Sequence, residues 1–294
     1  MSARVEITAK QVKPLHMTVY SPESAMLRPG VMLRGMVQDL RAAQDLSWRL
    51  AVRDLRSQYR QSLLGFLWAF ISPLANTVAW IFLNASGVVR IADTGIPYAA
   101  YVFTGTMLWQ LLVESVQSPL QQTVAAKPML SKLNFPREAV ILSGAIKLLT
   151  SAGIKLLILI PAVFLLGVTP DLHLTLVPLA MVAIMVTGMA VGLMIAPLGM
   201  LYTDVARAIP LVAQFAMYLT PVVFAMPQGG RLLQLFAWNP ATPLMLTGRA
   251  WLTGTASPMI GYFLIVSLVA VVLLLMGWVL YRITMPVLIE RMSA

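Results

Sequence analysis

The sequence contains no cysteine among its 294 residues. That excludes a disulfide framework, a thiolate metal site and a cysteine nucleophile. It has two histidines, His16 and His173, too few and too scattered for an imidazole metal centre. No glycine is followed by lysine anywhere, so the G-x-x-x-x-G-K-[ST] loop that cradles nucleotide phosphates is missing. Charge is scarce as well: 11% of residues are Asp, Glu, Lys or Arg, against roughly 25% in an ordinary soluble domain. What fills the space is oil. Hydrophobic residues make up 59% of the chain, the mean hydropathy is +0.81, and the apolar residues fall in long runs rather than on faces. The chain reads as an all-α integral membrane protein.

A bilayer core about 30 Å thick takes about 20 helical residues. Six segments meet that length: 63–89, 97–116, 139–168, 174–201, 208–226 and 258–281. Together they form an expected transmembrane domain over 63–281, with a short C-terminus at 282–294. No cleaved leader is expected, because the first apolar run begins only near Leu63. Residues 1–38, with Pro14, Pro22, Pro29 and Gly30, read as a loosely ordered tail. An even number of spans places both termini on one side. Sixteen of the 21 Lys and Arg residues fall on that side, three (Arg90, Arg231 and Arg249) fall opposite, and Lys147 and Lys155 lie inside the third span. The positive-inside rule makes the richer side cytoplasmic. The net charge of +10 then reports topology and contact with anionic lipid or an acidic partner, not nucleic acid.

Residues 39–62 read as an amphipathic helix at the interface. Trp48, Val52, Leu55 and Tyr59 form one stripe at i, i+4, i+7 and i+11. Arg49, Arg53, Arg56 and Arg60 repeat that spacing one residue on, so a basic stripe runs beside the apolar one. At the other end, residues 227–257 are oily but broken by Gly229, Gly230, Pro240, Pro243, Gly248 and Gly254. Neither apolar piece crosses a bilayer. Two short helices dipping back from the outer surface, a re-entrant hairpin, fit best; the alternative is an interfacial loop anchored by Trp238 and Trp251.

Three stretches carry a resemblance. In "RDLRSQYRQSLLGFLWAFISPL", Tyr59, Ser62, Gly65, Trp68 and Pro73 match a basic R-Y-x-x-S-x-L-G-x-x-W-x-x-x-x-P entry to a first membrane helix, although the basic residue follows Tyr59 as Arg60 and Gln58 stands before it. "LYTDVARAIPLVAQFAMYLTPVVF" carries a Y-x-D-V loop and a helix ending in T-P-V, and "NPATPLMLTGRAWLTG" an N-P-x-x-x-L-x-x-x-R-x-x-x-x-G segment. In this order they resemble the permease subunits of polysaccharide-export ABC transporters, which export O-antigen, capsule or teichoic acid chains. The resemblance covers about residues 40–285 and leaves the tail outside it.

That resemblance implies a bacterial inner-membrane half-channel that works as a homodimer on two separate ATPase subunits. ATP and magnesium sit on those partners, and this chain binds no cofactor or metal and catalyses no reaction. It also implies a coupling helix in the loop after the second span, where Lys127, Lys132 and Arg137 lie and Pro128 and Pro136 bracket a short turn. With Arg49, Arg53, Arg56, Tyr59 and Arg60 these are the expected ATPase-facing residues. Sugar rings stack on aromatics, so Phe66, Trp68, Phe70, Trp80, Phe215, Tyr218 and Phe224 are candidates for the substrate path. Trp238, Asn239, Pro240, Arg249 and Trp251 are candidates for an outer gate in the re-entrant segment.

Glu114, Lys147 and Lys155 sit inside spans, where a charge faces protein or a watery cavity. Their depths let Glu114 pair with Lys147 as a structural pair, or let the two line the substrate entrance. Lys155 either meets an anionic pyrophosphate or a sugar, or snorkels, and Lys147 and Lys155 are further candidates for the substrate path. Gly188 and Gly192 form a G-x-x-x-G pair for close packing, within the subunit or across a dimer. Two other functions compete. A drug or small-lipid exporter permease shares the topology. A membrane-embedded glycosyl- or acyltransferase would need acids or histidines at the surface, and Asp93, Asp171 and His173 form no recognisable constellation.

Overall fold

The computed structural model describes residues 29–60, 65–88, 93–130 and 135–293. Among them every regular element is a helix. In chain order these are α1 (Pro29–Ala42), α2 (Gln44–Arg60), α3 (Trp68–Ala85), α4 (Tyr98–Leu130), α5 (Glu138–Leu165), α6 (Val177–Leu201), α7 (Thr203–Tyr218), α8 (Gly230–Trp238), α9 (Ala241–Thr253) and α10 (Ile260–Ser293), with 3-10 turns at Gly65–Leu67 and Leu172–Leu176. The chain divides into a unit 1–38, whose described part lies in α1, and a unit 39–294 that holds everything below.

Three helical stretches are long and apolar enough to cross a membrane: Glu138–Leu165, Leu172–Leu201 and Ile260–Leu288, with a shorter apolar helix at Phe70–Ala85. α5 and α10 leave aliphatic faces uncovered (Leu149, Leu157 and Leu165; Leu264, Leu268 and Val272), as a lipid-facing helix does. α4 is different. Residues 100–109 are buried all round, because α4 is the central post against which α3, α5, α6, α7 and α9 pack. The core gathers there: Met107, Leu108 and Leu111 of α4, Ile184 of α6, Leu244, Met245 and Leu252 of α9. A second cluster lies at the far end of α4, where Leu120 meets Leu193, Ala196, Tyr281 and Met285 and the Thr123 and Tyr281 hydroxyls lie 3.0 Å apart.

Several expected boundaries move. α4 runs to Leu130, through Pro119 and Pro128, so the stretch expected to leave the second span as a loop after Val116 continues as helix. Helix continues through Pro119, and Thr123 one turn on donates back to the Pro119 carbonyl at 2.7 Å, as Thr77 does to that of Pro73 at 2.8 Å. Of the expected coupling segment, Lys127 is exposed on the last turn of α4 and Arg137 precedes α5, while Lys132 lies outside the described residues. α7 stops at Tyr218, eight residues short of the expected end of the fifth span, and the chain turns at Leu219–Phe224. α10 continues to Ser293 instead of ending near 281. Helix begins at Pro29, inside the expected tail, and is interrupted at Ala43 before α2. Gly254 closes α9 in the left-handed region, at φ 69°. Nearby, Asp171 accepts hydrogen bonds from the ring and backbone N–H of His173, which hold its carboxyl below the usual carboxylate range.

The G-x-x-x-G pair packs within the subunit. A Cβ on Gly188 would lie 2.4 Å from that of Ser115, and one on Gly192 would lie 2.3 Å from the Val116 carbonyl oxygen. Backbone cannot rotate away as a side chain can. Gly192→Ala is therefore expected to force α6 off α4 and destabilise the protein by roughly 1–3 kcal/mol. Gly153→Ala on α5, where a Cβ meets nothing within 4 Å, is expected to stabilise by about 0.5–1 kcal/mol. Thermal unfolding in detergent reads both, and equal shifts would refute the packing role.

Candidate functional site

A cavity of about 480 Å³ lies between α2, α3, α4 and α5. Its walls are polar in a chain that is otherwise oil. α4 contributes Gln110, Glu114, Gln117, Ser118, Gln121 and Gln122, at i, i+4, i+7, i+8, i+11 and i+12, which is one helical face. α5 contributes Lys147, Ser151 and Lys155, one turn apart on its own facing stripe. Gln58 of α2 and Ser72 and Trp68 of α3 complete the wall.

Its centre is an ion pair. Lys155 Nζ donates to both Glu114 oxygens and to Ser151 Oγ, each at 2.8 Å, and Ser151 Oγ donates to Glu114 Oε2 at 2.7 Å. The lysine side chain is 4% exposed and the glutamate 42%, so the carboxylate faces the cavity and the ammonium does not. This corrects the expected Glu114–Lys147 pair. Lys147 turns to α2 instead, with its Nζ 4.0 Å from Asp54 Oδ2. The Gln122 amide, assigned so that both its atoms are satisfied, donates to Asp54 Oδ2 at 3.1 Å and accepts from Lys147 at 2.7 Å. Asp54 also receives Arg53, through Nε at 2.9 Å and Nη2 at 2.8 Å.

On α2 the packed face is Ser47, Leu50 and Ala51, with Ala43 buried just before it, and the small residues among them let the helix lie close along α5. The two stripes read from the sequence lie elsewhere. Trp48, Arg49, Arg53 and Arg56 are exposed and share a groove with Val52 and Ser57. The side chains of Tyr59, Arg60 and Phe66 lie outside the described residues. Among the path candidates, Trp68 lines the polar cavity and Phe70 meets Phe103 edge-on at 6.2 Å. Trp80, at the other end of α3, stands edge-on to Tyr218 at 6.4 Å and to Phe224 at 5.2 Å. Phe215 is exposed on α7.

The turn after α7 is held by side chains. A helix end leaves carbonyls without partners, and here side chains meet those of the turn beyond it. Asn239 Nδ2 donates to the Leu219 carbonyl (2.9 Å) and to Thr220 Oγ1 (2.8 Å). Arg249 donates through Nη1 to the Pro221 carbonyl (2.8 Å) and through Nη2 to that of Val222 (2.7 Å). Tyr98 and Tyr101 hydroxyls donate to the carbonyls of Val223 (3.3 Å) and Phe224 (2.9 Å). The guanidinium also lies 3.5 Å from the centroid of the Tyr101 ring, a cation–π contact. Of the five residues expected at an outer gate, Trp238 and Pro240 are exposed and Asn239 is half-buried, whereas Arg249 and Trp251 are core, Trp251 edge-on to Phe263 at 5.3 Å. Thr220-Pro221-Val222 and Asn239…Arg249, two separate motifs in the sequence, are thus one structure.

Sequence reasoning missed Gln58, Gln110, Gln117, Gln121, Gln122 and Ser151. The signal was present: amides and a carboxylate at helical spacing from Gln110 to Gln122. Ending the second span at Val116 cut that stripe in half. It also missed Arg282, which donates from within α10 to Glu138 at the start of α5 and, at 2.7 Å, to Asp39 Oδ2.

Residues 46–251 match the family described as ABC-2 type transporter. Two proteins of Klebsiella pneumoniae, each named O-antigen export system permease protein RfbA, are 26% and 24% identical over 214 residues, which is 70% of this chain and 79% of each relative. One of Myxococcus xanthus with the same name is 24% identical over 219 residues, 73% of this chain and 83% of the relative. The matched region runs from α2 into α9 and so includes the polar cavity and the arginine clamp; this chain belongs to the ABC-2 type transporter family.

Proposed function

We propose that this chain is the membrane subunit of an ATP-driven exporter that carries a polysaccharide or lipid-linked glycan, O-antigen-like, across the bacterial inner membrane. Two copies form the path and two copies of a separate ABC ATPase drive it from the cytoplasm, holding the ATP and magnesium. α3, α4, α5, α6, α7 with the turn after it, and α10 are the six crossings. α8 and α9 form the re-entrant outer hairpin, and both termini are cytoplasmic. The bias of Lys and Arg supports this topology. Short α8 and α9, with α9 enclosed by protein, support the hairpin. The absence of a Gly-Lys pair supports an ATPase on another chain.

The observation that carries the substrate is the amide-lined cavity inside a chain whose relatives are named O-antigen export permeases. A drug or small-lipid exporter would draw instead on the apolar pocket of about 430 Å³ that Trp109, Val191, Val212 and Leu244 line between α4, α6, α7 and α9. Deleting the gene is expected to remove surface glycan while leaving its synthesis intact, and the tagged chain is expected to co-purify with an ABC ATPase. Surface glycan at normal levels in the deletion strain would refute the reading.

The cytoplasmic lever is α2 and the exposed end of α4. Each arginine near an anionic surface or partner contributes about 1 kcal/mol, so Arg53, Arg56 and Arg60 replaced together by Gln are expected to cut export by roughly tenfold or more. Membrane accumulation of the chain, read by immunoblot, should stay close to wild type. Unchanged export would reduce the stripe to a topology signal.

A further inference from the structure

We infer that the cavity between α2, α3, α4 and α5 is a binding site for one or two neutral sugar rings of the transported chain, with the glutamine amides as its recognition groups. This rests on the glycan-export reading above and assigns the ligand chemistry of that site. Its volume, about 480 Å³, is within the roughly 300–1,000 Å³ of small-molecule sites.

The charges decide between an anion and a neutral ligand. A lysine has three donors, and all three of Lys155 are already engaged, two by Glu114 and one by Ser151. Lys147 faces Asp54 and the Gln122 carbonyl. Lys155 is therefore matched and offers an arriving phosphate no unpaired charge, while Lys147, 4.0 Å from the Asp54 that Arg53 also holds, is matched only in part, which is why the test includes an anion. What the cavity offers instead is neutral. The amides of Gln58 and Gln110 have no hydrogen-bond partner among the described residues. Each presents a carbonyl acceptor and an NH₂ donor side by side, the pairing that adjacent sugar hydroxyls need. Glu114, half-exposed to the cavity, adds an acceptor. Trp68, 53% exposed at the rim, supplies an apolar face for the C–H side of a ring.

The test uses the full chain in lipid nanodiscs. The probe is the delipidated oligosaccharide released by mild acid from the producing cells' own surface glycan, with inorganic pyrophosphate as the anionic comparison. Saturation-transfer NMR is expected to show sugar ring protons in contact with the protein. Gln110→Leu with Gln117→Leu should weaken that signal at least fivefold, and so should Trp68→Ala, whose exposed position makes misfolding no explanation. Trp68→Phe should retain it. In cells the double glutamine variant should lower surface glycan at least tenfold with normal membrane accumulation. Binding of pyrophosphate but not of the oligosaccharide, or an oligosaccharide signal unchanged by both the double glutamine variant and Trp68→Ala, would overturn the inference. The two readings fail separately: a deletion strain that still displays glycan sinks the export reading, whereas a deletion strain without glycan beside a fully active glutamine variant sinks only the sugar site.

Discussion

Arg249→Met is expected to destabilise the protein by roughly 3–5 kcal/mol, by loss of charged hydrogen bonds and the orphaning of a buried carbonyl. The guanidinium is 3% exposed and meets no carboxylate among the described residues. Its charge is compensated by the carbonyls of Pro221 and Val222, beyond the negative end of α7, and by the face of Tyr101. Methionine fills much of the space and donates nothing. The Pro221 carbonyl keeps the Tyr101 hydroxyl, 3.2 Å away, so the Val222 carbonyl bears most of the loss. Arg249→Lys should fall between, because one ammonium cannot fork to two carbonyls while lying flat on a ring. Gly105→Ala should match Arg249→Met without touching the charge: its Cβ would lie 2.2 Å from Arg249 Nη2 and 2.3 Å from the Val222 oxygen. Melting temperature in detergent gives the size of the effect. Limited proteolysis gives its place, with new cuts between residues 219 and 229. An Arg249→Met protein that melts and digests like wild type would remove the clamp from the account.

That clamp shows where a sequence stops being legible. Long apolar runs announce helices, and the breaks around Gly229, Gly230 and Pro240 announce that the oily stretch before α10 is not one helix. The parallel stripes of Trp48 and Arg49 announce an amphipathic α2. None of these requires knowing which faces meet. The clamp does: Arg249 counts as one cation outside the membrane until α9 folds in beside Tyr101. The Glu114 pairing fails for a related reason. Depth measured from span ends placed Glu114 level with Lys147, but α4 extends to Leu130, so those ends were not the real ones. Side chains on a helix also lean toward its N-terminus. On antiparallel neighbours, Glu114 and Lys155 lean toward each other and meet at 2.8 Å, while Lys147 reaches Asp54 and Gln122. Register and lean belong to the packed pair of helices, and no single helical wheel contains them.

Glu114→Gln is expected to destabilise the protein by about 3–5 kcal/mol, because it strands a buried ammonium; Lys155→Met should cost distinctly less. The asymmetry follows from exposure. Lys155 is 4% exposed and without Glu114 keeps only Ser151 and an amide oxygen, whereas Glu114 is 42% exposed and without Lys155 turns its carboxylate to the wet cavity. The double variant, Glu114→Gln with Lys155→Met, removes both charges and should recover most of the loss, leaving a coupling of roughly 2 kcal/mol or more between the sites. Equal losses that simply add would mean that the two residues do not act as a pair. The double variant also separates the roles of the carboxylate. If Glu114 serves only to satisfy Lys155, a protein with neither charge exports normally once its stability is restored. If its cavity-facing carboxylate also receives a sugar hydroxyl, the same stable protein exports poorly, and Lys155→Met alone, which keeps the carboxylate in the cavity, does not.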